Sequence, residues 1–284
     1  ILQKMKNLLF GSSGSLGSSI IKIISKKYKK KRFIYISRSK PLDSKGNWYK
    51  YDLNSNINKF KYKKIKCCIF LASPHYLKKN MKFKIYNKEY LWIKKIVKNF
   101  KIENLIYVSS PSIYLKNHYV GKNKYKTEKF LIKNKSKFII LQIWRPFNLI
   151  NTKYKKYTDH FHNLLYKIMF VEKKISFNFQ GNKNDSRAYC DIDKFSNILL
   201  KNAFLKKSFI KDYGNLNSIT IDEIIKIYNK YYYIKFKKFF VANFMSKKIN
   251  RNIIKRNSKN NVYTKENSKN IIKKYLISKL YAKK

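Results

Sequence analysis

Apolar residues follow two different spacings along the first half of the chain. Runs that are apolar at nearly every position predict strands buried on both faces of a sheet, and they cover residues 7–10, 33–37, 48–51, 67–72, 105–109 and 138–144. Residues 18–25, 87–99 and 122–133 are apolar at every third or fourth position, which predicts helices. Strands that alternate with helices predict an α/β fold with a doubly wound parallel sheet.

The alternation fades after Pro146, which suggests a second part of the chain. Further helical patterns cover residues 160–170, 195–204 and 219–231, and the lysine-rich tail keeps apolar spacing near 271–276. We therefore predict a main domain over residues 1–150 with a return segment at 188–214, and a smaller substrate-binding part from 151–187 and 215–284.

The chain is strongly basic, with a formal net charge of +53. Only six of its 67 basic residues are arginines, and the 61 lysines are spread over every segment. Proteins that bind nucleic acid rely on arginine for bidentate contacts. We therefore do not expect nucleic acid to be the main partner, and an RNA-binding role driven by charge is kept as a third alternative. A hydrophobic content of 44% excludes a disordered polycation.

Cysteine and histidine positions do not suggest a metal site or a disulfide framework. The three cysteines are an odd number, and the adjacent Cys67 and Cys68 fall in an apolar run, which predicts a place in the core. His160 and His162 have no third ligand nearby in sequence. The lack of a disulfide framework favours a reducing cytoplasm as the compartment. No uncharged stretch reaches transmembrane length, so we expect no membrane partner.

A glycine-rich loop separates the first predicted strand from the first predicted helix. It comprises Gly11, Ser12, Ser13, Gly14, Ser15, Leu16 and Gly17. In this context Gly11 permits a tight turn, Gly14 lets the backbone approach a pyrophosphate, and Gly17 lets the helix pack on the strand. The amides at the start of the helix would then bind the phosphates. The loop predicts a Rossmann-type dinucleotide-binding domain.

The end of the second predicted strand bears on the choice of dinucleotide. An acidic residue that binds the adenosine ribose is expected there, and the chain has Ser37 followed by Arg38. No carboxylate would repel a 2′-phosphate, and a guanidinium is available to bind one. The sequence therefore favours NADP over NAD.

The three glycines at intervals of three resemble the short-chain dehydrogenase/reductase superfamily. Later segments resemble its extended branch, the NAD-dependent epimerase/dehydratase family of sugar-nucleotide enzymes; they are Asp52-Leu53, 70–73, Asn87, 107–114, 145–148 and 181–187. The resemblance implies that Asp52 and Leu53 contact adenine and that Ala72 lines the cofactor. It also implies a catalytic role for Ser110 and places Asn148 and Arg187 on the substrate's phosphates.

The family uses a tyrosine and a lysine four residues apart, because a lysine cation beside the ribose stabilises the phenolate. The best register places the lysine at Lys124 and leaves Val120 at the tyrosine position. Three possibilities stay open: Tyr119 serves if the helix starts after it, Tyr125 is the acid/base, or the tyrosine is absent. We favour Tyr119.

These features predict an NAD(P)-dependent epimerase, dehydratase or reductase acting on a nucleotide-linked sugar. The vacant tyrosine position supports an alternative, namely a cofactor-binding protein of the same fold with lost or altered catalysis, used for regulation or assembly. The resemblance also implies a homodimer.

Overall fold

The structure is a computed structural model, and it describes residues 6–28, 33–41, 44, 47–55, 63–73, 87–114, 119–151, 160–179, 181–215, 217–245, 261–264 and 267–281. The chain forms two compact units. Unit 1 comprises Ile1–Pro146 and Asp193–Asp212, and unit 2 comprises Phe147–Ile192 and Tyr213–Lys284.

The strands of the described residues are β1 (Lys6–Phe10), β2 (Phe33–Ser37), β3 (Trp48–Lys50), β4 (Lys64–Phe70), β5 (Lys101–Val108), β6 (Ile140–Pro146), β7 (Asn148–Ile150), β8 (Ser176–Phe179), β9 (Ser186–Arg187), β10 (Tyr189–Asp191), β11 (Phe209–Asn215), β12 (Ile219–Thr220), β13 (Val241–Phe244) and β14 (Asn261–Thr264). The α-helices are α1 (Ser15–Lys27), α2 (Lys88–Asn99), α3 (Tyr119–Lys133), α4 (His160–Tyr166), α5 (Ile192–Ala203), α6 (Ile221–Phe236) and α7 (Ser268–Leu280). Short 3₁₀ turns cover Pro111–Tyr114 and Lys135–Lys137, and a π turn covers Lys167–Val171.

The main sheet, counted over the described residues, has eight strands in the order β14-β11-β6-β5-β4-β1-β2-β3. Seven of them form a parallel sheet with flanking helices, which confirms the predicted α/β fold. The chain runs outward from β1 to β2 and β3, then continues on the other side of β1 with β4, β5 and β6. Because ligands of such sheets bind outside the carboxyl ends of the strands where the order reverses, β1 and β4 mark the expected site.

Apolar strand residues of unit 1 are buried as the sequence predicts. Leu8 lies opposite Ile34 on β2 and Cys68 on β4, and Cys67 and Cys68 are fully buried. Burial raises the pKa of the Cys67 thiol to about 12, so the thiolate form is disfavoured. These cysteines are core residues.

Unit 2 is built around large aromatic side chains instead of a long sheet. Tyr228 and Tyr232 of α6 and Tyr275 of α7 are buried together with Phe170. Three pairs of short strands among the described residues complete it: β7 with β10, β9 with β12, and β8 with β13. No helix of the described residues is long and apolar enough to span a membrane.

Candidate functional site

The glycine loop makes a sharp turn at the carboxyl end of β1. Gly11 has a positive φ of +79°, and its N–H donates to the Ile36 carbonyl oxygen at 3.0 Å. A side chain at Gly11 would place its Cβ 2.8 Å from the backbone nitrogen of Ala72. The loop therefore lies against the end of β4, and the structure brings together two residues that the sequence assigned to the cofactor.

Gly17 and Gly14 lack a side chain for different reasons. A Cβ at Gly17 would lie 2.5 Å from the carbonyl oxygens of Gly11 and Ser12, so helix α1 can approach the loop only without one. Gly14 is exposed, and a Cβ there would meet only the Gly11 carbonyl oxygen, at 3.4 Å. The protein itself does not require glycine at position 14, and the open space in front of it can admit a ligand.

The start of helix α1 can bind an anion. Gly14 is the N-cap residue without a side-chain cap, and the first turn carries no acidic residue. The amides of Ser15, Leu16 and Gly17 cannot bond within the helix, and the helix dipole adds positive potential there. Ser13 and Ser15 are half-buried beside these amides. This donor set fits a pyrophosphate.

Ser37, at the end of β2, uses its hydroxyl inside the protein. It accepts hydrogen bonds from the Ser12 hydroxyl at 2.9 Å and from Trp48 Nε1 at 3.1 Å, and it donates to the Ser39 carbonyl oxygen at 2.7 Å. Its donor and both acceptor positions are thereby occupied. Arg38, the next residue, is exposed.

Asp52 and Leu53 follow β3. The Asp52 carboxylate accepts hydrogen bonds from the Asn54 amide N–H and the Asn54 side chain, at 2.9 and 2.8 Å. Leu53 is buried, and its carbonyl oxygen accepts from the Lys95 ammonium at 3.4 Å. The two residues thus form an ordered turn at the same edge of the sheet as the glycine loop.

Lys124 and Ser110 lie at the carboxyl end of β5. The Lys124 side chain is buried, and its ammonium donates to the Val108 carbonyl oxygen at 3.1 Å, two residues before Ser110. The Ser110 hydroxyl oxygen accepts from the Ser112 N–H at 3.2 Å. No described residue receives the Ser110 hydroxyl proton, so it is free to donate to a substrate oxygen.

Glu89 contacts Lys124 at the end of β5, and the sequence did not indicate it as a site residue. Its carboxylate accepts hydrogen bonds from Lys124 Nζ and from the Tyr107 hydroxyl, both at 2.6 Å. Burial and the adjacent Glu89 charge raise the pKa of Tyr107 well above its ordinary value, so this phenol cannot serve as a base. An acidic residue in the first turn of a helix usually faces solvent, and nothing in the sequence distinguished Glu89 from that case.

Helix α3 sets the geometry of this edge. A Cβ at Gly121 would overlap the Ser112 carbonyl oxygen, so α3 packs directly on the turn that follows Ser110. The helix begins at Tyr119, not after it, and the Tyr119 side chain lies outside the described part of the structure. Val120 is half-buried. Tyr125 is 48% exposed, with Lys129 Nζ 4.8 Å above its ring, so it lies apart from the buried Lys124.

Arg145, at the end of β6, contacts α3 through Glu128. Its Nε atom lies 3.1 and 3.2 Å from the carboxylate oxygens of the buried Glu128. The guanidinium also donates to the Tyr114 hydroxyl at 2.7 Å, and that hydroxyl in turn donates to Asp212 at 2.8 Å. Glu128, four residues after Lys124, thus has an ion-pair partner at the end of β6.

Asn148 and Arg187 belong to unit 2. The Asn148 side chain donates to the carbonyl oxygen of Ala188 at 3.0 Å. Arg187 precedes Ala188 in the chain, and its guanidinium lies 5.2 Å from the centre of the Phe161 ring. The two residues assigned to the substrate therefore lie within one small region of unit 2. The described residues contain no group of three or more potential metal ligands.

Neither a family model nor a curated protein matches the sequence. Solved structures do share the fold. UDP-glucuronic acid 4-epimerase from Bacillus cereus, a point mutant described with a fluorinated UDP-sugar and NAD, has a TM-score of 0.69 at 19% identity over 84% of this chain and 86% of its own. UDP-N-acetylglucosamine 4-epimerase from Bacillus cereus has a TM-score of 0.68 at 16% identity over 98% of this chain and 97% of its own. MoeE5, described with UDP-glucose and NAD, has a TM-score of 0.68 at 14% identity over 85% of both chains. The predicted resemblance to the extended short-chain dehydrogenase/reductases is thereby confirmed at the level of the fold.

The predicted preference for NADP is wrong. Four structural neighbours are described in complex with NAD. A physical reason lies at Ser37: the missing carboxylate removes a repulsion but does not by itself create a phosphate site, because Ser12, Trp48 and Ser39 already occupy the Ser37 hydroxyl.

Proposed function

We propose that the protein binds NAD and acts on a nucleotide-linked sugar, as a member of the NAD-dependent epimerase/dehydratase family. The observation that carries this proposal is that the glycine loop after β1 and the pair Ser110 and Lys124 after β5 lie at the same carboxyl edge of one sheet. A dinucleotide bound across the point where the strand order reverses would reach both.

Each residue of this edge has a distinct part in the proposal. The amides of Ser15, Leu16 and Gly17 hold the pyrophosphate, and Lys124 donates to a hydroxyl of the nicotinamide ribose. NAD, when bound, supplies a ring that can accept a hydride from a sugar carbon and return it. Ser110 donates to the sugar oxygen. Although α3 begins at Tyr119, we retain this residue as the one that exchanges the proton at that oxygen, because the alternative phenol, Tyr125, is exposed.

Substrate recognition is assigned to unit 2. Asn148 offers an amide and Arg187 a guanidinium, which suits the two phosphates of a nucleotide sugar. Three structural neighbours described with UDP-sugars support this class of substrate. The family resemblance also suggests a homodimer, which analytical ultracentrifugation would test.

Titration with NADH, followed by fluorescence, tests the cofactor part of the proposal. Saturable binding in the micromolar range is expected, and no binding at millimolar NADH would overturn it. Turnover is then measured with UDP-glucose, UDP-glucuronic acid and UDP-N-acetylglucosamine. Tyr119→Phe should abolish activity, and Tyr125→Phe, the matched exposed control, should keep it.

A second function is favoured by one observation, the half-buried Val120 four residues before Lys124. A chain that binds NAD without a phenol at that position could serve in regulation or assembly. In that case NADH binds, all three UDP-sugars are inert, and Tyr119→Phe changes nothing.

A further inference from the structure

Glu89 is fully buried on α2, in a chain with only 14 acidic residues. Burying a carboxylate costs several kcal/mol of solvation unless partners replace the lost water. A first-turn acid that served only the helix dipole could remain in solvent. The burial of Glu89 therefore needs another explanation.

Three structural elements supply partners to this carboxylate. One oxygen accepts from Lys124 Nζ of α3 and from the Tyr107 hydroxyl of β5, each at 2.6 Å. The other oxygen accepts from the hydroxyl of Ser73, after β4, at 3.1 Å. Both oxygens are thus held at the carboxyl edge of the sheet.

The same contacts fix Lys124. An ammonium has three N–H donors, and Glu89 and the Val108 carbonyl oxygen accept two of them. Both acceptors are rigid, since Val108 is in a strand and Glu89 is buried. A lysine side chain is otherwise flexible. Among the residues that the structure describes, these two bonds leave one donor of Lys124 with a defined position for a ligand.

We propose that Glu89 is the positioning residue that holds Lys124 on the second ribose of the dinucleotide, the ribose that carries nicotinamide. This inference rests on the proposed function. The sheet order supplies the reason for the second ribose. In a sheet of the order β3-β2-β1-β4-β5, phosphates bound at β1 would leave the first nucleoside toward β2 and β3 and the second over β4 and β5, where Lys124 is held.

The test compares ligands that differ by that ribose. ADP contains the first nucleoside and the phosphates, whereas ADP-ribose adds the second ribose. Glu89→Gln removes the charge and keeps the shape of the side chain. Affinity is measured for both ligands and for NADH by isothermal titration calorimetry, without any turnover.

Glu89→Gln is expected to weaken ADP-ribose and NADH about tenfold, as for a hydrogen bond to a charged group, and to leave ADP unchanged. Lys124→Met should weaken the same two ligands at least as much. Adding Glu89→Gln to Lys124→Met should cause no further loss, because Glu89 acts only through Lys124.

Equal weakening of ADP and ADP-ribose would mean that the pair is only structural, and unchanged ADP-ribose binding would also overturn the inference. If Glu89→Gln does not fold, Glu89→Asp is used instead, because it keeps the charge but withdraws the carboxylate by one methylene group. It should weaken ADP-ribose and NADH and leave ADP unchanged. Failure of the proposed function looks different: the wild-type protein would then bind neither NADH nor ADP-ribose, which would overturn both.

Discussion

The glycine loop and the side-chain cluster near the end of β5, here called the edge (Ser110, Lys124 and Glu89), both lie at the carboxyl end of the same sheet. The loop uses backbone atoms, whereas the edge uses side chains. At the loop, backbone amides and the absence of side chains make the site. At the edge, the site consists of side chains: Ser110, Lys124 and Glu89. The loop keeps all three glycines, whereas the edge has Val120 at the position of the expected phenol.

The difference teaches which feature survives a change in composition. A chain rich in lysine, tyrosine and asparagine can change many side chains while its backbone geometry is kept, provided that the positions of closest approach stay glycine. Gly11 and Gly17 are held in this way by the backbone around them. A catalytic side chain is not constrained in this way by the backbone around it.

The largest effect on stability is expected for Gly121→Ala. This variant tests whether the edge, like the loop, depends on close backbone packing. The added methyl group would overlap the Ser112 carbonyl oxygen, so α3 must move, at a cost of about 3 kcal/mol for overpacking. Urea unfolding measures the loss. Lys122→Ala, on an exposed position of the same helix, is the control and should change stability little; an equal loss in both would contradict the packing argument.

Val120→Tyr tests the edge directly. It places a phenol four residues before Lys124, and such a group contributes on the order of 100-fold to proton transfer. In the Tyr119→Phe background, where the proposed phenol is missing, we expect Val120→Tyr to raise turnover of the preferred UDP-sugar by about that factor, measured by coupled assay. Val120→Phe supplies the ring without the hydroxyl and should give no gain. A gain in both variants would assign the effect to packing instead of proton transfer.

Gly14→Ser tests the loop at its one open position. Serine is a good N-cap, so helix α1 should lose no stability. The new side chain would occupy the space in front of the helix amides, and NADH should bind about tenfold more weakly, the equivalent of one lost charged hydrogen bond. Calorimetry and thermal unfolding on the same sample separate the two effects. Unchanged NADH affinity would contradict phosphate binding at this helix.

Periodicity predicted the strands and helices of unit 1 because each element buries one pattern of residues. It did not predict the contact of Glu89 with Lys124, which depends on how three distant elements are brought together. The short strand pairs of unit 2 also escaped prediction, since two to four residues carry too little periodicity. The NADP prediction failed for a related reason: Ser12 and Trp48, which occupy the Ser37 hydroxyl, are 25 and 11 residues away in sequence.

The smallest effect is expected in unit 2, outside both regions. Thr220 and Glu223 form a capping box at the start of α6, and Lys269 of α7 lies 2.7 Å from the Glu223 carboxylate. Hydrogen bonds from Lys269 and from the Thr220 backbone lower the pKa of Glu223. A lowered pKa means that this contribution is present above the unfolded pKa of about 4.3 and is lost as the pH falls through the folded value.

Glu223→Gln keeps the capping box and removes only the charge. Since both partners are partly exposed and screened by solvent, we expect a loss of about 0.5 kcal/mol at pH 7. Urea unfolding at pH 7 and pH 3 should show that this difference is smaller in acid, and Lys269→Met should reproduce it. NADH affinity should stay at the wild-type value in both variants, because neither side chain belongs to the loop or to the edge. A parallel loss of NADH binding would show that the proposed dinucleotide site also depends on unit 2.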